Sequence, residues 1–141
     1  MSREANITSS LQITKGNLTY QSLPPGFSAD VAGAKGPTPG SVSVSTDGTD
    51  VDFSQLTTPG LCRIMNQDAS NFVTYGTWDP DDSTFRPLGE LKPGESFILR
   101  LSRQLGQVQG VGVGTVEPTN NTLRLKADTA ACNVLVEAFE V

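Results

Sequence analysis

From Leu61 to Phe139 the chain is cut into short apolar runs by segments of turn chemistry, and that spacing constrains the fold more than any other feature. Leu61–Met65, Phe72–Thr77, Phe85–Leu88, Ser96–Leu101, Thr122–Ala127 and Ala131–Phe139 all suit strands. Between them stand Gln67-Asp68-Ala69-Ser70-Asn71, Asp79-Pro80-Asp81-Asp82-Ser83 and Lys92-Pro93-Gly94-Glu95. Asp and Asn favour turns through local backbone bonds, Pro by a preset φ, Gly by its freedom at positive φ. Many short strands at near-regular spacing predict an all-β fold, a single antiparallel β-sandwich of the jelly-roll kind. A helix competes only over Ala127–Phe139, which holds four alanines. There Cys132, Val134, Val136 and Ala138 alternate with Asn133 and Glu137, which favours a strand.

At 141 residues the chain suits one core, since two would leave each half short of apolar surface. An aromatic share of 6% makes that core thin and dependent on Val, Leu and Ile, as in a two-layer sandwich. Fourteen glycines and nine prolines argue against long helices. One structural domain, 1–141, is expected, with an N-terminal arm, strands and a Pro/Gly-rich loop over 1–59 and the main β-sandwich over 60–141. No repeat of solenoid or propeller length is evident.

In Ala5–Lys15, Ile7, Leu11 and Ile13 share one parity, the pattern of a half-buried strand. Lys15-Gly16-Asn17 reads as a turn and Leu18 and Tyr20 continue the alternation, so the first twenty residues form either a hairpin or an extended arm laid on a neighbour. Ser22–Gly40, with Pro24, Pro25, Gly26, Gly33, Gly36, Pro37 and Pro39, reads as a long loop and a candidate contact segment. Ser41–Ser45 and Val51–Phe53 are short strands around a turn over Thr46–Asp50.

The net charge of −5 and pI near 4.5 oppose nucleic-acid binding, which needs clustered Lys and Arg. There is no histidine, so the usual neutral-pH base and commonest metal ligand are missing. Met1–Ser10 lead into no apolar run, so neither a secretory signal nor a membrane span is expected, and synthesis is placed in a host cytoplasm. Cys62 and Cys132 fall in strand-like segments and read as small buried hydrophobes. A bridge between them would need Cα atoms within about 7 Å.

Asp79, Asp81 and Asp82 beside Trp78 form either a turn or a cation site, and the turn is the simpler reading. Asp47, Asp50 and Asp52 lack the spacing of a calcium loop. Tyr75 and Trp78 are either core anchors or a candidate glycan platform. Arg63, Arg86, Arg100, Arg103 and Arg124 are candidates for ion pairs on a sheet or across a subunit contact. Gly110–Val116, Gly-Val-Gly-Val-Gly-Thr-Val, lets a backbone approach closely but lacks the lysine of a phosphate loop. No catalytic residue, cofactor or metal is assigned.

Asn66–Val73 runs as Asn-x-Asp-x-x-Asn-Phe-Val, Phe85–Leu88 as an aromatic-x-Pro-Leu step, Leu91–Glu95 as Leu-Lys-Pro-Gly-Glu, and Phe97–Leu101 ends Leu-Arg-Leu. This pattern, with the closing stretch Leu125–Cys132, resembles tailed-bacteriophage capsid decoration, or cement, proteins; the likeness spans about residues 60–141. It implies a non-enzymatic virion protein on the capsid surface, bound to the major capsid protein as a symmetric dimer or trimer, without nucleic acid or membrane. The expected docking parts are then the N-terminal strands and the loop, with Ile7, Leu11, Ile13, Leu18, Tyr20, Pro24, Pro25 and Phe27 as contacts. The alternatives are a receptor- or glycan-binding virion module of a head fibre or tail, using Tyr75 and Trp78, and an acid-pair hydrolase using Asp79 and Asp82.

Overall fold

The computed structural model describes residues 4–33, 35–102, 105 and 121–141. Among them there is no helix. The N-terminal strands are β1 (Ala5–Ile7), β2 (Leu11–Lys15), β3 (Leu18–Ser22) and β4 (Phe27–Ala29). They are followed by β5 (Thr38–Val44), β6 (Thr49–Asp50), β7 (Pro59–Asn66), β8 (Val73–Asp79) and β9 (Thr84–Leu91). The last three are β10 (Ser96–Arg100), β11 (Thr122–Ala127) and β12 (Cys132–Glu140). Every pairing is antiparallel.

Two four-stranded sheets carry the core, one in the order β10-β7-β12-β5 and the other β6-β11-β8-β9. Val44, Ile64, Val134 and Val136 from the first share one buried cluster with Val73, Leu123 and Leu125 from the second, so the body is β-sandwich-like. Strand β12 shows why. Cys132, Val134, Val136 and Ala138 are buried while Asn133, Leu135, Glu137 and Phe139 take the other parity. Period two, not alanine content, decides this segment, and Ala138 lies opposite Cys62 in the register. Phe53 is the one fully buried ring among the described residues, so the core rests on Val, Leu and Ile, each contributing about 1.5–3 kcal/mol when buried.

Asn66 locks two loops at one end of the sandwich. Its fully buried amide donates from Nδ2 to the carbonyls of Asn71 (2.8 Å) and Leu91 (3.1 Å), and its Oδ1 accepts the Asp68 N–H (3.0 Å). Asp68 Oδ1 in turn accepts the N–H groups of Ser70 and Asn71, which hold its carboxyl below the usual carboxylate range. The Asn66 backbone N–H donates to Glu95 O (2.9 Å), and Gly94, at φ 79°, donates to Asn66 O. The Asn-x-Asp-x-x-Asn and Lys-Pro-Gly-Glu segments are therefore joined turns.

Several expectations are corrected. Ala5–Lys15 is two strands with different partners, β1 with β4 and β2 with β3. The proposed long loop over Ser22–Gly40 contains β4 and the start of β5, where Pro39 is tolerated because β5 is an edge strand. Thr49–Asp50, read as turn, is a strand against β11, and Val51–Phe53, read as strand, is a buried connection. The sandwich begins at Thr38, earlier than residue 60, because β5 and β6 belong to its sheets. Gly110–Val116 and Arg103 lie outside the described residues.

Cys62 and Cys132 are free and buried. Their partners Ala138 and Val44 place them six residues apart along β12, about 20 Å, which rules out a bridge. Burial, helped by Glu137, pushes the Cys62 thiol up to about 12.

Candidate docking surface

Strands β2 and β3 form a ribbon that pairs with no other strand among the described residues. Gly16, at φ 57°, takes the first position of the two-residue turn between Lys15 and Leu18, a place that favours glycine. The register puts Ile13 opposite Tyr20, Leu11 opposite Ser22 and Lys15 opposite Leu18, so Leu11, Ile13, Leu18 and Tyr20 share one face. Gln12, Thr14, Thr19 and Gln21 make the other. The apolar face is uncovered: Leu11 is 53% exposed, Ile13 41%, Leu18 58% and Tyr20 51%. The half-burial expected of β2 is not met. A two-stranded ribbon is marginal in water on its own, and this one lacks the third layer its pattern is built for.

Leu23 and Phe27 extend the exposed apolar surface, and Pro24 and Pro25 stand exposed between β3 and β4. Half-buried Ile7 turns to the body. It helps line an open groove of about 350 Å³ on the outer side of the first sheet, with Val31, Leu61, Ile98 and Phe139. The groove holds the Arg63–Glu137 ion pair (2.6 Å) as well. Two contacts fix its wall. Glu4 Oε2 accepts the Val31 N–H (3.0 Å), and Ala32 N–H donates to Glu140 O (3.1 Å). The Glu140 carboxylate accepts the Thr57 N–H (2.5 Å), which lowers its pKa, and it occupies space that a Cβ on Gly33 would need.

Tyr75 and Trp78 do not form a platform. They are three residues apart on β8, an odd separation that sends them to opposite faces. Tyr75 packs on the core cluster, stacks on Phe97 at 6.3 Å and fills the space over Gly89, where a Cβ would collide with its ring. Trp78 lies under the Arg124 guanidinium, 3.7 Å from the ring centre, and Arg124 also binds Asp50 at 2.5 Å. A sugar would find that ring face taken.

The acidic cluster is a turn closed by arginine. Arg86 binds Asp79 (2.9 Å) and Asp82 (2.7 Å) with separate nitrogens, and Asp79 Oδ1 accepts the Asp81 N–H. The Arg86 hydrogen bond lowers the Asp79 pKa, whereas a glycosidase acid needs a raised one. Asp52 caps the Ser54 N–H and Asp50 belongs to Arg124, so neither joins Asp47 in a calcium loop.

Sequence reasoning missed the groove because Leu61, Ile98 and Phe139 meet only through the strand register. The available signal was Leu135 and Phe139 on the outward parity of β12, apolar where a solvated face would be polar. Compared with protein-family models, curated proteins and solved structures, the chain matches none.

Proposed function

We propose that this chain is a structural virion protein, a capsid decoration or cement protein that binds the major capsid protein from outside and stabilises the contacts between its subunits. The observation that carries the reading is the uncovered apolar face of Leu11, Ile13, Leu18 and Tyr20, a surface that gains free energy only by meeting a partner. The likeness of residues 60–141 to tailed-phage decoration proteins supplies the class of partner. A fold reading agrees with it. Pairing β5 with β12, β6 with β11, β7 with β10 and β8 with β9 is the nesting of one long hairpin wound into two sheets, so we read the sandwich as a jelly roll. The N-terminal hairpin is its docking arm.

Such a protein acts by mass action: binding the closed shell and not its separated subunits favours the shell, and many weak copies on a lattice act together. It performs no chemistry and uses no cofactor. Arg86 holding Asp79 and Asp82 supports that reading. The test is quantitative mass spectrometry of purified virions of the source phage. A copy number comparable with the major capsid protein is expected. A few copies per virion would shift the assignment to a fibre or tail component, and absence from virions would overturn it.

A further inference from the structure

The N-terminal hairpin carries two unfilled apolar features. Its β2–β3 end exposes Leu11, Ile13, Leu18 and Tyr20, and its β1–β4 end walls the groove over the first sheet with Ile7 and Val31. Among the described residues, an exposed apolar ribbon and an open apolar groove thus belong to one chain. Charge indicates how copies would meet. Ala5–Ala29 is the longest stretch without a carboxylate and its sole charge is Lys15, so the rest of the chain carries a net charge of −6. Two copies repel through their acidic bodies, whereas the ribbon approaches an anionic body without that penalty and brings one lysine to it. The groove offers Glu4 and Glu137 against Arg63, a negative balance that suits Lys15.

We infer that the occupant of the groove is the β2–β3 ribbon of a second copy of this chain, with Ile13 and Tyr20 packed against Ile98 and Phe139. The inference rests on the reading of the ribbon as a contact surface and fixes its immediate partner; the capsid is then met by the assembled oligomer. Reciprocity supplies the area. One face of a ribbon of two five-residue strands covers less than the roughly 800 Å² per partner of a standard interface, but each chain gives one ribbon and accepts another. Exchange doubles the contact in a dimer and closes a ring in a trimer.

The experiment is light scattering on the full chain and on the Ile13→Ser/Tyr20→Ser double variant, with circular dichroism as a control on folding and binding to capsids measured beside it. The wild type is expected to be an oligomer and the double variant a folded monomer. Mixing Ile13→Cys chains with Ile98→Cys chains under oxidation should give a disulfide-linked pair that neither gives alone. A wild type that is monomeric at tens of micromolar but binds capsids through the ribbon would overturn the exchange and leave the docking reading standing. An oligomer that persists in the double variant without the mixed disulfide would overturn it too. An oligomer formed as expected that is absent from virions would instead sink the capsid reading.

Discussion

Strands β12 and β2 each set apolar residues along one parity, yet one lies inside a sheet and the other stands in solvent. In β12 the apolar parity meets Val44, Ile64 and a facing sheet that brings Val73 and Leu125. In β2 it meets only β3 among the described strands. Alternation therefore says which side of a strand is apolar and not what covers it; cover comes from the number of strands that pair and from whether a second layer faces them.

The contrast can be broken most directly in the core. Ile64→Ala should cost about 2–5 kcal/mol, because the surrounding strands cannot collapse onto the space it leaves. Urea unfolding followed by tryptophan fluorescence measures it, and a loss under 1 kcal/mol would mean the two sheets are not packed as described. Next comes Asn66→Ala, expected to cost about 1–3 kcal/mol by stripping partners from the buried carbonyl of Leu91 and from the 67–71 turn. A smaller effect follows from acid. Asp68, Asp79 and Glu140 are held below their ordinary values of 3.8, 3.8 and 4.5, so their contribution is complete above those values and is lost as pH falls through the lower folded ones. The melting temperature should hold steady from neutral pH down to the ordinary values and then drop, while the ribbon, which has no carboxylate, adds nothing to that drop. Smallest of all is Ile13→Ala, expected within about 0.5 kcal/mol of wild type in the monomer. A loss comparable with that of Ile64→Ala would show that the ribbon's apolar face is covered after all.

The regular half of the chain was legible because strands such as β12 bury one parity and its turns carry their own chemistry, as the segments after Asn66 and Leu91 do. The irregular half was less so. Pro39 hid the start of β5 because a proline on an edge strand and a proline in a loop look alike in sequence. Phe27–Ala29 is too short to show a period. Asn66 reads as a turn residue, and nothing local announces that its amide is buried between Asn71 and Leu91. Tyr75 and Trp78 read as either core anchors or a platform, and their three-residue spacing on one strand separates them. Leu11, Ile13, Leu18 and Tyr20 read in sequence as candidate contacts; their exposure depends on tertiary structure and cannot be read from alternation.

The place of β12 between β5 and β7 has a consequence for how the molecule is made. Hairpin β8–β9 forms from neighbours in the chain, but the first sheet has no centre until Cys132–Glu140 has left the ribosome. Up to that moment β5 and β7 have no common neighbour, and one edge of β7 is unpaired. A chain stalled or clipped before residue 132 therefore presents an open strand edge beside exposed Cys62 and Ile64, the surface from which misassembly starts. Strand β12 is the one that makes the nascent chain safe.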